Sequence, residues 1–161
     1  MKAIVLSDTH GDIKALDYMV ANEPEAGAII HAGDFARDLI NSPIFSLYKS
    51  YTVNGNCDGI PASVDEAVIE WGKCRILLTH GHIYGVKEGL AELSKKAISL
   101  ACKTAIYGHT HIASQQDVNG VLMLNPGTGS YAKSIITKPS YIVLDASEET
   151  GIVSASLKLL I

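Results

Sequence analysis

Arginine is nearly missing from this chain: Arg37 and Arg75 are the only two in 161 residues, and the net charge is -4. No basic run follows a nucleic-acid backbone, and aromatic residues are only 6% of the chain, which speaks against DNA or RNA as the main ligand. Any phosphate bound here would need its charge met by something other than an arginine clamp, and bound metal ions are the obvious candidate. Cysteine is sparse and odd in number, with Cys57, Cys74 and Cys102 at no C-x-x-C spacing. Reduced thiols and a cytoplasmic setting are therefore expected. No apolar run approaches the roughly 18 residues of a membrane span, and Ala3–Leu6 is too short for a signal-peptide core. No repeat, low-complexity stretch or linker divides the sequence, so one domain over 1–161 is expected.

What is present is apolar and ordered. Apolar residues make up 47% and charged residues 19%, with a mean hydropathy of +0.19, the balance of a globular chain. Few charges and much apolar surface are compatible with a homodimer or homotetramer. Lys2–Ser7 reads as a buried strand. Ile13, Leu16, Met19 and Val20 recur at helical spacing behind Asp12 as N-cap, Glu23-Pro24-Glu25 ends that helix, and Ala28–Ala32 is a second strand. This is a β-α-β unit with parallel pairing. Residues 36–50 suggest helical segments broken at Pro43, and Tyr51–Val53 a third strand. Ala67–Trp71 and Cys74–Leu78 read as a hairpin around Gly72-Lys73, and Leu90 to Ala101 as a helix of about four turns. Thr104–Tyr107 is a strand. Ser114–Val118 and Val121–Leu124 form a hairpin around Asn119-Gly120, and Tyr141–Leu144 and Ile152–Leu160 are strands. Alternation in the first half and hairpins in the second predict an α/β fold of two facing sheets with helices on the outer faces.

Five of the six histidines lie in short polar segments just after apolar runs: Ser7-Asp8-Thr9-His10, Thr79-His80-Gly81-His82 and Gly108-His109-Thr110-His111. His31, inside a strand, is the exception and is expected to be structural. Asp34 follows Ile29–Gly33 in the same way, and Asn56 sits in Gly55-Asn56-Cys57-Asp58. In an open α/β sheet, reactive groups gather beyond the carboxyl ends of the strands. Asp8 and His10 are two apart, as are His109 and His111, and extended backbone would aim each pair to one side. Each piece alone has an ordinary explanation as a turn, a cap or a hydrogen-bonded histidine. Together Asp8, His10, Asp34, Asn56, His80, His109 and His111 offer only oxygen and nitrogen donors, which suits Mn, Fe, Zn or Ni better than a thiolate metal. Seven ligands are too many for one small cation, whereas two ions sharing one carboxylate would use them all. A metal pair roughly 3.5–4 Å apart is a device for hydrolysing phosphate esters.

The order Asp-x-His, Gly-Asp, Gly-Asn-x-Asp, His, Gly-His-x-His resembles the calcineurin-like metallophosphoesterase superfamily. Gly55-Asn56-Cys57-Asp58, His80-Gly81-His82, Gly108–His111 and Asn125-Pro126-Gly127 are similar to its small bacterial and archaeal phosphodiesterases of the YfcE type. The resemblance implies a four-layer α/β/β/α sandwich and two divalent ions, Mn foremost and Ni, Fe or Zn otherwise. It implies Asp8, His10 and His111 on one ion, Asn56, His80 and His109 on the other, and Asp34 bridging them. The implied activity is hydrolysis of P–O bonds in a small phosphate ester by a metal-bound hydroxide. Two other readings stay open: a non-catalytic scaffold on the same fold, as in the eukaryotic retromer, and a nuclease of the same superfamily. Retention of all seven ligand-type residues argues against the first, and the acidic balance against the second.

Many members of the superfamily carry histidine directly after the asparagine, where this chain has Cys57. Asp58 is a candidate for orienting a ligand or moving a proton. His82 is a candidate for touching phosphate from the rim, or for a bond within its loop. A thiol of ordinary pKa, about 8.5, is a poor acid and brings no positive charge, so diesters are expected to be preferred over monoesters. Cys57→Ala tests packing; Cys57→His tests chemistry. The second change should raise the monoester-to-diester rate ratio, and an unchanged ratio would mean that Cys57 only packs.

Overall fold

The computed structural model describes residues 1–133, 138–151 and 153–161. The N-terminal apolar run becomes strand β1 (Lys2–Leu6), followed by helix α1 (Ile13–Asn22) and strand β2 (Ala26–His31). β1 and β2 pair in parallel, as the β-α-β reading requires. Pro43 separates two short helices, α2 (Ala36–Ile40) and α3 (Ile44–Leu47), and β3 (Lys49–Thr52) adds in parallel to β2. A second sheet begins with the hairpin β4 (Glu66–Trp71) and β5 (Cys74–Thr79), closed by Gly72-Lys73 so that Trp71 faces Cys74. It continues through helix α4 (Ala91–Ser99), β6 (Thr104–Ile106), β7 (Ser114–Val118) and β8 (Val121–Asn125). Asn119 and Gly120 both take positive φ, the geometry that a two-residue hairpin favours. β9 (Ser140–Ala146) and β10 (Val153–Leu159) return to the first sheet.

The strand orders are β10-β9-β1-β2-β3 and β4-β5-β6-β8-β7, both mixed. Side chains alternate across each strand, and this alternation builds three apolar layers. Val5, Ile30 and Ile142 of the first sheet meet Ile69, Ile76 and Ile106 of the second between the sheets. Ile4, Leu6 and Ile29 pack outward on Leu16 and Met19 of α1. Leu77, Ala105 and Met123 pack outward on Leu93 and Ala97 of α4. The result is the four-layer α/β/β/α sandwich of two facing mixed sheets. No helix among the described residues is long and apolar enough to cross a membrane.

Two local expectations differ. α4 has nine residues, about two and a half turns rather than four, because the chain turns left-handed at Ala101 (φ 55°) and Cys102 N–H closes on Ala97 O at 2.9 Å. Asp12 stands at the N-cap position of α1, but its side chain does not cap the helix: its Oδ2 accepts the N–H of Tyr131 at 3.0 Å. The last strand was expected from Ile152, which lies outside the described residues.

His31 closes β2 and is completely buried. Its Nδ1 accepts Gly33 N–H at 3.1 Å, so Nε2 carries the proton toward Thr9 Oγ1 at 3.1 Å, and Thr9 donates to Asp38 Oδ2 at 2.7 Å. Asp38 also accepts Gly11 N–H at 2.7 Å, so His31 ties together the loops after β1 and β2. Burial pushes its pKa down to about 4. Below pH 6.5 the unfolded chain binds a proton at this residue that the fold refuses until about pH 4, so stability falls as pH drops through that window. With metal chelated, wild type should lose roughly 2–3 kcal/mol more than His31→Asn between pH 7 and 4.5 in urea titrations. Equal losses would show that His31 is protonated in the fold.

Candidate metal centre

β1, β2, β3, β5, β6 and β8 all deliver their carboxyl ends to one edge of the sandwich, and the polar segments after them meet there. Ala32 N–H continues β1–β2 pairing onto Leu6 O at 2.8 Å, and Asp8 N–H reaches Gly33 O at 2.9 Å. The second sheet is stitched on by Gly129 N–H to Ser7 O at 2.8 Å, Thr128 Oγ1 to Asp8 O at 2.9 Å and His109 N–H to Asp8 Oδ2 at 3.1 Å. Two glycines permit this approach. A Cβ on Gly55 would stand 2.1 Å from Asp34 Oδ1, and one on Gly108 would stand 2.0 Å from Ser7 Oγ and 2.7 Å from Asp8 Oδ2.

The pairs Asp8/His10 and His109/His111 converge, but not because the backbone is extended. Asp8, His10, Asp34, His109 and His111 have φ of 55°, 47°, 56°, 67° and 60°. Five of the seven ligand-type residues thus occupy left-handed backbone, at a cost on the order of 1–2 kcal/mol each. Such strain survives only where surrounding bonds hold it, and the stitches above do so.

Ligand atoms of Asp8, His10, Asp34 and His111 lie within 4.8 Å of one another. His10 Nε2 is 3.7 Å from Asp34 Oδ2, and His111 Nε2 is 3.0 Å from Asp8 Oδ1. On the other side His80 Nε2 is 3.4 Å from Asp34 Oδ1 and 3.2 Å from Asn56 Oδ1, with the His109 ring 5.1 Å from that of His80. All seven residues are therefore brought together, with Asp34 facing both groups. His80 Nδ1 donates to Ala32 O at 2.8 Å, which leaves Nε2 as a bare lone pair toward the site.

The donor set fits divalent ions. Asp8 and Asp34 are buried at 0% and 2% exposure, and among the described residues neither pairs with a lysine or arginine. Asp8 Oδ1 has no well-formed hydrogen bond although three imidazole Nε2 atoms lie within 4.0 Å of it. A buried charge left in that state calls for a cation. Burial would raise the Asp8 carboxyl, but its contacts with His111 and His80 outweigh it and hold it below its usual value. The His111 imidazole is raised in turn by Asp8. Burial lowers His10, His82 and His109, which keeps them neutral and able to ligate.

The remaining candidates divide. Cys57 N–H donates to Asp34 Oδ1 at 2.8 Å; the residue is exposed overall, but partial desolvation of its sulfur together with the Asp34 carboxylate pushes its pKa to about 11. Asp58 turns both oxygens to backbone, to Ala36 N–H at 3.1 Å and Gly55 N–H at 2.8 Å, so it orients the Asp34 and Asn56 loops rather than facing the site. The His82 ring stands 5.5 Å from His80 and 6.1 Å from His109, and its Nδ1 is buried without a partner. Asn125 stands out in the sequence within the Asn125-Pro126-Gly127 motif, but its support of the site does not. Asn125 Nδ2 donates to Gly108 O at 2.9 Å and Thr110 Oγ1 at 3.0 Å, locking the His109 loop, and its one signal is its place before Pro126 at a strand end. The larger cavity, about 480 Å³ beside Lys73, Arg75 and Lys103, opens at the opposite ends of the strands and holds none of these residues.

The family model of the calcineurin-like phosphoesterase superfamily domain matches residues 1–149. The chain is 34% identical to a probable metallophosphoesterase, YsnB, of Bacillus subtilis, over 80% of this chain and 75% of that one. It is 27% identical to the phosphodiesterase YfcE of Escherichia coli K12, over 83% and 82% of the two chains. A crystal structure of a Vps29 single mutant from Entamoeba histolytica superposes over 100% of both chains with a TM-score of 0.78 at 22% identity, a likeness of fold. A strand-end site of two buried carboxylates, four imidazoles and an asparagine, carried on this sandwich, agrees with the match along most of the sequence: the chain belongs to the calcineurin-like phosphoesterase superfamily.

Proposed function

We propose that this chain is a phosphodiesterase working through a dinuclear metal centre, with Asp8, His10 and His111 on one ion, Asn56, His80 and His109 on the other, and Asp34 shared. The observation that carries the reading is Asp34, whose Oδ2 faces His10 at 3.7 Å and whose Oδ1 faces His80 at 3.4 Å. One carboxylate that turns an oxygen to each cluster is what a shared ligand must do. Kinship with proteins named metallophosphoesterase and phosphodiesterase supports the same reaction class.

Divalent ions, Mn foremost, would be held by Asp8, His10, Asp34, Asn56, His80, His109 and His111 and would supply Lewis acidity toward water and phosphoryl oxygen. The chain supplies the rest. Water oxygen ends on phosphorus, the ester P–O bond breaks, and the alcohol leaves with a proton. Asp58 fixes the loop backbone that presents Asp34 and Asn56. His80, oriented by the Ala32 carbonyl, holds its Nε2 at the site. His82 stands where its ring can reach a phosphoryl oxygen. Cys57 keeps its proton at neutral pH, so it lends no charge to a dianionic monoester, and a monoanionic diester is the better substrate. Three free thiols suit a reducing, cytoplasmic setting.

The net charge of -4 and the lack of a basic run speak against a nucleic-acid ligand, and the likeness to Vps29 concerns the fold alone, so neither a nuclease nor a scaffold is favoured over the enzyme. Hydrolysis of bis-p-nitrophenyl phosphate should appear with added Mn and fall by roughly 100-fold or more after chelation. Absence of metal-dependent turnover would overturn the reading. Asp34→Asn should lower both turnover and metal content, turnover by roughly 100-fold, well beyond the effect of Cys57→Ala. Equal effects of the two changes would remove Asp34 from its shared position.

A further inference from the structure

A cavity of about 440 Å³ opens directly beside the metal centre, with His10 forming part of its wall. Its size lies within the range of small-molecule sites. The groups around it do not serve the metal chemistry. Ser130 is 0% exposed and its Oγ has no hydrogen-bond partner, an unfavourable state for a buried hydroxyl. Asp12 gives up its role as a helix cap, and among the described residues its side chain bonds through Oδ2 to Tyr131 N–H. Ile13 is 52% exposed at the mouth, a β-branched apolar side chain in water. Lys14 adds an ammonium on the same helix turn.

From this wall we infer that the cavity is the subsite for one ester group of the substrate, and that it takes a neutral, hydroxyl-bearing group of sugar-like chemistry. The inference rests on the phosphodiesterase reading. A group joined through oxygen to the reacting phosphorus at the metal centre is carried past His10 into the cavity. There the Ser130 hydroxyl can donate and accept, Asp12 Oδ1 can accept from a hydroxyl, and Ile13 offers an apolar face to the ring carbons. The mixture rejects two alternatives. A plain alkyl group would leave Ser130 unsatisfied. A second phosphate would face the Asp12 carboxylate as well as Lys14, and like charge at close range is unfavourable.

The test uses esters that share a leaving group. The Mn-loaded protein is assayed with methyl p-nitrophenyl phosphate, thymidine 5′-p-nitrophenyl phosphate and the same thymidine ester carrying a 3′-phosphate. The thymidine ester should exceed the methyl ester in kcat/KM by roughly tenfold, mainly through KM. Ser130→Ala should cut that ratio by roughly fivefold, and Ile13→Ala, an exposed change that leaves the core intact, should also cut it. Equal kcat/KM for the methyl and thymidine esters, both hydrolysed, overturns the subsite and leaves the phosphodiesterase standing. A ratio unmoved by either variant also overturns it, and preference for the 3′-phosphate overturns the neutral assignment. Hydrolysis of none of the three sinks the phosphodiesterase reading and the subsite together.

Discussion

Two carboxylates, Asp8 and Asp34, are buried at the seam between two sheets with imidazoles beside them and, among the described residues, no ammonium or guanidinium paired to them. In an apolar interior that arrangement is unfavourable. The polar edge of the fold is arranged around it. His80 is turned by a carbonyl so that its lone pair faces inward, Asp8 is held as an anion against its burial, and three other histidines are kept neutral by burial. These choices are intelligible together if a divalent cation completes the set. As structural devices each would cost stability for no return.

The cost extends to the backbone. Non-glycine residues avoid left-handed φ, yet five ligand-type residues adopt it within a few ångströms of one another. The short loops carrying these five use it to bring side chains from two sheets to one point, whereas Asn56 and His80 reach it without positive φ. What holds them is mostly main chain: Asp8 N–H on Gly33 O, Gly129 N–H on Ser7 O, His109 N–H on Asp8 Oδ2. Gly55 and Gly108 are part of the same solution, because any side chain there would displace Asp34 or Ser7.

The sequence disclosed the members of this site more readily than its geometry. Histidines clustered after apolar runs are visible in one dimension, and all seven ligand-type residues meet. Two-residue periodicity predicts that Asp8 and His10, and His109 and His111, point together, but the real cause is left-handed backbone, which Asp and His tolerate better than most residues. The apolar runs specified the strands because alternation and burial are local. The end of α4 was missed because Ala101 occupies a position where glycine is the usual signal. Asp12 was read as a cap because its residue type favours one, and a bond to Tyr131, 119 positions away, prevailed. The Thr9–His31–Asp38 network and the Asn125 lock join distant segments, so only the folded chain reveals them.

The two halves of the site are unequal, and the inequality bears on how metal and fold are coupled. Asp8, His10 and Asp34 come from the first sheet and are largely buried, while Asn56 is exposed and uncharged. If Asp34 is shared as proposed, the second half adds no carboxylate of its own, so charge neutralisation would rest on the first. That first half also spans both sheets, because His111 follows β6 while Asp8 and His10 follow β1. A cation held there crosslinks the two sheets at the edge where the backbone is most strained. Ligand binding to the folded state alone adds to its stability. The strain in the ligand loops and the affinity for metal are therefore two expressions of one balance, struck between sheets that meet at Asp8.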